Sequence, residues 1–196
     1  MRRATIDRQT KETEVHLKLD LDGQGRHELD TGVPFLDHLL SHLAAHGSID
    51  LNIEATGDIE VDDHHTVEDI GICFGQALRE ALGDKRGILR YAHQILPMDE
   101  TLVLAALDIS GRSMLVYDVP FPQPTIGRFH TELVREFLQA VAMNSGICLH
   151  VKLLDGLNAH HIAEAVFKAV GRCLGEAVRI DPHKADIVPS TKGTIE

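Results

Sequence analysis

Alternation of apolar and polar residues marks out the strands of this chain. In ETEVHLKLDLDG (residues 12–23), Val15, Leu17, Leu19 and Leu21 alternate with His16, Lys18 and Asp20, the period of a half-buried strand. Asp22-Gly23 predicts a turn, and GRHELDTG (25–32) a short returning strand. Pro34 precedes an amphipathic helix over 35–47, stopped by Gly47. Ile49, Leu51 and Ile53 alternate again as a strand. After DIEVDD a long helix carries Ile70, Cys73, Phe74, Ala77, Leu78 and Ala81 as its apolar stripe and ends at Gly83.

The pattern then restarts. ETLVLAALDISG (100–111) repeats 12–23, with Glu12, Thr13, Val15, Leu19, Asp20 and Gly23 matched by Glu100, Thr101, Val103, Leu107, Asp108 and Gly111. RSMLVYDV repeats the returning strand, TELVREFLQAVAMN (131–144) the first helix, and GICLHVKLL (146–154) the next strand. A last helix has the stripe Ile162, Val166, Ala169, Val170, Cys173 and Leu174. Equivalent residues are separated by steps of 88 (Thr13 to Thr101), 98 (His38 to Glu136) and 96 (His64 to His160), which is what duplication with loop changes produces. The prediction is an α+β unit of two strand-strand-helix-strand-helix halves, residues 1–92 and 93–196. Each half would have a sheet of about four strands and two helices, and the halves would dock through their helical layers or sheets.

Composition narrows the class. Hydrophobic residues make up 43% and charged residues 25%, ordinary for a globular protein. A formal charge of −11 argues against a general nucleic-acid partner. Cys73, Cys148 and Cys173 show no CxxC spacing and read as reduced, mostly core thiols. Without an apolar run after the basic N-terminus or a membrane-length apolar stretch, the expected setting is cytoplasmic, with no membrane partner. Thirteen histidines are many, and they cluster.

Two clusters are copies of one motif. DDHHTVED (62–69) and NAHHIAEA (158–165) each place a Glu four positions after the first His of a pair: His64, His65, Glu68 and His160, His161, Glu164. On a helix, the first His and the Glu lie about 40° apart, while the second His points about 100° away. One His-Glu pair can therefore chelate one ion while its neighbour reaches another. Asp62 and Asn158 are candidate N-caps, and Asp63 and Asp69 add acidic surroundings. His38, His42 and His46 recur on one face of the first helix. The step of 98 sets Glu136 opposite His38, whereas His42 and His46 align with Ala140 and Asn144; His42 is read as a surface or interface histidine. The expected ligand sets are His38, His65, His160 and Glu164 for one ion, and His64, Glu68, Glu136 and His161 for the other. Nitrogen and oxygen ligands without Cys fit Mn²⁺ or Fe²⁺, with Zn²⁺ as an alternative.

Anion binders form a second group: Arg90, Arg112, Lys168 and the tail VPSTKG with Ser190, Thr191 and Lys192. Taken singly, each basic residue reads equally as a solvated side chain. GxGxxG and P-loop patterns are absent.

The runs GVPFLDHLLSHLAAHG, DDHHTVED, NAHHIAEA, LDISGR and PSTKG together resemble imidazoleglycerol-phosphate dehydratase in its monofunctional form, over about residues 5–193. The resemblance implies a ribosomal-protein-S5-domain-2-like fold and the conversion of D-erythro-imidazole-glycerol phosphate to imidazole-acetol phosphate and water, in histidine biosynthesis. It also implies two Mn²⁺ ions per site and a 24-mer built from trimers, with sites at subunit contacts. The two ions would hold the ring as an imidazolate that expels hydroxide, after which a carboxylate takes the carbon-bound proton. Catalytic roles are implied for Glu12, Glu164, His64 and His160, with Glu12 favoured as acid/base. Substrate contacts are implied for Glu12, His38, His46, His64, His65, Glu68, Arg90, Arg112, His160, Lys168, Ser190, Thr191 and Lys192. Glu136 departs from members with His at that position, and Glu100, the repeat partner of Glu12, reads as structural. The residues alone leave two other readings open: a di-metal hydrolase of a small phosphate or amide, and a non-catalytic metal-binding assembly protein.

Overall fold

Two four-stranded sheets with the same strand order enclose four helices in the computed structural model, which describes residues 2–195. The first sheet runs β1 (Arg3–Gln9), β2 (Thr13–Asp20), β4 (Asp50–Gly57), β3 (His27–Asp30). The second runs β5 (Tyr91–Met98), β6 (Thr101–Asp108), β10 (Cys148–Asp155), β7 (Met114–Asp118). Helices α1 (Pro34–Gly47) and α2 (His64–Leu82) belong to the first half, and α3 (Glu132–Ser145) and α4 (Ala159–Ala177) to the second. A small strand pair, β8 (Thr125–Ile126) and β9 (Phe129–His130), precedes α3 and was not anticipated. The fold is the expected α+β duplication.

Alternation did predict the inner strands. Val15, Leu17 and Leu19 of β2, and Val103, Ala105 and Leu107 of β6, are buried beneath the helices. The edge strands β1 and β5 escaped the sequence reading. β1 buries only Ala4 fully, and β5 contains Pro97, which an edge strand tolerates because its outer N–H has no partner to lose. β5 also spans residues 92 and 93, so the boundary drawn there falls inside a strand. The returning strands are likewise not hairpin partners. β3 pairs parallel to β4, and β7 parallel to β10, because each is joined to its neighbour through a helix, the connection that parallel strands need. Gly23 serves a different purpose from a hairpin turn. A Cβ there would lie 2.3 Å from the Asp50 backbone nitrogen.

The halves meet through their helices, α1 on α4 and α2 on α3. Backbone approaches backbone at these crossings. A Cβ on Gly171 would stand 2.5 Å from the Leu43 carbonyl oxygen, and one on Gly175 would stand 2.1 Å from that of Gly47. A Cβ on Gly75 would stand 2.7 Å from the Val141 carbonyl oxygen, the duplicated counterpart of Gly171 on Leu43. Contacts advance in the same direction along both helices, so α1 and α4 are parallel, as are α2 and α3. Phe74, Phe137 and Phe167 fill the centre, with ring centroids 6.2 and 5.3 Å apart. Cys73 and Cys173 are free and buried, and burial raises their thiols to about 11 and about 12. Among the described residues, no helix is long and apolar enough to cross a membrane.

Two outcomes test this packing. Gly175→Ala is expected to destabilise the fold by about 3 kcal/mol in urea unfolding, since neither backbone can yield without moving α1 from α4. Asp50 clamps the loop before β3, accepting from the Gln24 and Arg26 amides at 2.7 and 3.0 Å and from the Arg26 guanidinium at 2.7 Å. Burial raises its carboxyl, but these bonds outweigh burial and bring it down to about 2. A depressed carboxylate stabilises the fold above its unfolded value of 3.8 and loses that contribution as pH falls towards 2. Asp50→Asn is therefore expected to cost about 1 kcal/mol at neutral pH, with the gap from wild type closing between pH 4 and 2.

Candidate metal centre

Both motifs are positioned by the same local device. The Asn158 side chain accepts from the His160 amide at 2.9 Å, and Asp62 accepts from the His64 amide at 2.8 Å. Each closes the first turn of its helix and sets the His pair there. Asn158 is the N-cap of α4, while Asp62 acts from one residue before the α2 N-cap, Asp63. Asp69 lies outside the site. It is buried and accepts from Arg8 at 2.9 Å and from Thr13.

Where α1 crosses α4, one cluster forms. Glu164 Oε1 accepts from His38 Nε2 at 2.6 Å and from His160 Nε2 at 2.8 Å, and Oε2 accepts from Lys168 at 2.6 Å. One ligand atom from each of His38, His160 and Glu164 lies within 4.8 Å of the others, a group that could hold a metal ion. Burial raises the Glu164 carboxyl, but the Lys168, His38 and His160 bonds outweigh it and hold it well below the usual carboxylate range. His42 is not a surface histidine. Its ring lies 4.6 Å from that of His38, and its Nε2 is buried without a hydrogen-bond partner, 3.4 Å from Glu164 Oε2. Burial lowers both His42 and His46, favouring neutral imidazoles beside the ammonium of Lys168. Convergent imidazoles, an ionised carboxylate and an orphaned ring nitrogen suit a borderline divalent cation.

The second set is looser. His64 Nε2 stands 3.8 Å from Glu68, and Glu136 turns to Arg135 at 3.4 Å. The repeat explains the difference. The steps of 98 and 96 carry the attractive pair His38–Glu164 onto Glu136–Glu68, two carboxylates, and carry Lys168 onto Ile72. Like charges without a cation do not converge.

The lone histidines face elsewhere in this chain. His65 Nδ1 donates to Asp58 at 3.1 Å, with Glu12 3.8 Å away, and His161 Nδ1 donates to Glu100 at 2.8 Å. A carboxylate on Nδ1 leaves Nε2 as the ligating atom and fixes the ring plane. These bonds raise both histidines, and the His161 contact, with the Asn158 amide, draws Glu100 down to about 2. Glu100, read from the sequence as structural, holds the His161 ring by this bond. Asp58 was missed, its only signal being the acidic run before the motif.

The anion candidates divide. Lys168 and His46 line a cleft of about 440 Å³ beside Glu164, with Gln94 and Arg172. Arg90 lies at the far end of α4, its amide bonded to the Ala177 carbonyl and its guanidinium to Asp108 at 2.8 Å and the Pro189 carbonyl at 2.8 Å. Ser190, Thr191 and Lys192 follow that contact. Arg112 occupies the turn after β6, where its amide donates to Ser110. Nineteen residues of α4 span about 27 Å, so within one chain Arg90 and Ser190 stand a helix length from His160.

Comparison with known proteins points to one family. A model of the imidazoleglycerol-phosphate dehydratase family matches residues 31–174. The imidazoleglycerol-phosphate dehydratases of Dinoroseobacter shibae and Paracoccus denitrificans are 57% and 59% identical over 195 residues, covering 100% of each chain. The crystal structure of the dehydratase from Staphylococcus aureus superposes with a TM-score of 0.84 at 40% identity, covering 91% of this chain and 99% of that one. That of the Pyrococcus furiosus enzyme gives 0.83 at 36% identity, covering 96% and 99%. With its doubled His-His-x-x-Glu motif and its duplicated sheets, this chain belongs to the imidazoleglycerol-phosphate dehydratase family of hydro-lyases.

Proposed function

We propose that the chain dehydrates imidazole-glycerol phosphate at sites holding two Mn²⁺ ions, each site assembled from more than one copy. The observation that carries this reading is the incomplete His38–His160–Glu164 cluster. It offers three ligands, while the fourth expected ligand, His65, is held by Asp58 outside it. His65 of a neighbouring copy would complete this set, and His161 would complete His64, Glu68 and Glu136. The anion group a helix length away calls for the same sharing, with Arg90, Arg112, Ser190, Thr191 and Lys192 of one copy serving the phosphate of another. The resemblance to the family adds a 24-mer to this reading, and the cytoplasm is its expected setting.

When bound, the ions would supply Lewis acidity to the substrate. The protein supplies the rest. His38, His160 and Glu164 would hold one of the ions. Lys168 keeps Glu164 ionised and, with His46, presents positive charge to the phosphate end of a small substrate. Both Glu164 oxygens accept hydrogen bonds, from His38 and His160 and from Lys168, so Glu164 is read as a ligand and not as the base. Glu12 has a side chain 56% exposed and is free to take the carbon-bound proton. The neighbouring hydroxyl leaves with a proton as water, and the resulting enol tautomerises to the ketone.

Metal-replete protein should form imidazole-acetol phosphate from imidazole-glycerol phosphate. A chelator should abolish turnover and Mn²⁺ restore it; no product from the replete enzyme sinks the reading. Glu164→Gln is expected to lower bound Mn²⁺ and reduce kcat/KM about 100-fold, whereas Glu12→Gln should lower kcat by a similar factor with metal content unchanged. His65→Ala and His160→Ala chains, each inactive, should regain part of the activity when co-assembled. Mixtures that stay inactive would place each complete site within one chain.

A further inference from the structure

Each lone histidine of the two motifs has its ring fixed by a carboxylate on Nδ1, Asp58 for His65 and Glu100 for His161. His38 and His160 lack this device. Their Nε2 atoms both meet Glu164 Oε1, and their Nδ1 atoms have no hydrogen-bond partner among the described residues. A contact at one ring atom leaves the plane of the ring free, and a ligating imidazole needs a second restraint to hold that plane. Here the restraint is aromatic. Phe35, one turn before His38 on α1, meets the His160 ring edge-on at 65°, with centroids 5.1 Å apart, and lies 5.8 Å from the His38 ring. The His38 and His160 rings are 5.5 Å apart, so the three close a triangle within the range of favourable aromatic pairs.

The β8–β9 hairpin backs this triangle. Phe129, 2% exposed, packs on Phe35 with centroids 5.3 Å apart. Thr131 ties the base of the hairpin, its amide donating to the Pro124 carbonyl at 2.9 Å and its hydroxyl to the Gln123 carbonyl at 3.1 Å. Phe35 itself is only half-buried, beside a cleft of about 420 Å³ that Pro34, Arg128 and Phe129 also line. Core filling therefore does not call for a ring at this position. The repeat supplies the comparison. The step of 98 carries Phe35 onto Leu133, in the set where Glu136 replaces His38 and His64 stands 3.8 Å from Glu68. A ring stands where two imidazoles must be held, and an aliphatic side chain where one of them is replaced. We infer that Phe35, backed by Phe129, is a positioning residue that sets the ring planes of His38 and His160 so that both Nε2 atoms face one ion. This inference rests on the metal-site reading of His38, His160 and Glu164.

The test is the Mn²⁺ affinity of the full chain, read from the electron paramagnetic resonance of the free ion, with the thermal midpoint of the chelated protein as the control for folding. Phe35→Leu, the exchange that the repeat itself makes, is expected to weaken Mn²⁺ binding about tenfold while the chelated midpoint moves by less than about 4 °C. Phe35→Tyr keeps the ring and should bind Mn²⁺ within about twofold of wild type. If Phe35→Leu does not fold, Phe35→Met, which keeps the apolar bulk without the ring, carries the same expectation. Wild-type affinity in a folded Phe35→Leu or Phe35→Met chain overturns the inference, and so does a weakening that Phe35→Tyr shares. A wild type that binds no Mn²⁺ refutes the metal-site reading and the inference with it, and needs no variant to show it.

Discussion

The close parallel crossing of α1 on α4 is the constraint on which the rest depends. Gly171 and Gly175 let the α4 backbone reach the carbonyls of Leu43 and Gly47. Because the helices run in the same direction, this contact fixes the register at their N-terminal ends as well. It brings His38, on one half of the chain, against His160 and Glu164, on the other. The α2–α3 crossing repeats the contact through Gly75 and Val141. The His38–His160–Glu164 group is thus built across the seam of the duplication, and neither half holds it alone.

Much of this was legible in the sequence. β2, β4, β6 and β10 each bury one face, so their alternation survives intact. The repeat step that pairs His38 with Glu136 also pointed to His38 as a partner of the second motif. The edge strands were hidden because an edge strand needs few buried residues, and Pro97 suggested a break where pairing is one-sided. The hairpin reading of β3 failed because a turn signal does not say which strand lies next door.

The site was legible to the extent that chemistry was local. His160 and Glu164 share a helical face, and spacing shows it. Lys168 was read as a phosphate binder, and its bond to Glu164 shows a second task, which required knowing how deeply Glu164 is buried. Glu100 reaches His161 from the turn before β6, and Asp58 reaches His65 from the loop after β4, relations that helical spacing does not carry. The separation of Arg90 from His160 by the length of α4 also appears only once the helix is placed.

Lys168 has one more consequence, for the order of events in the life of the chain. A buried carboxylate normally demands a partner before the core can close. With the ammonium of Lys168 at 2.6 Å, Glu164 carries its own counter-charge from the moment α4 forms. The crossing can then close on an electrically balanced cluster, and maturation can run with folding first and ion capture afterwards. The duplicated site lacks that lysine, because Ile72 stands where Lys168 would be, and Glu136 turns to Arg135 instead. The two sides of one duplication therefore balance their carboxylates by different means.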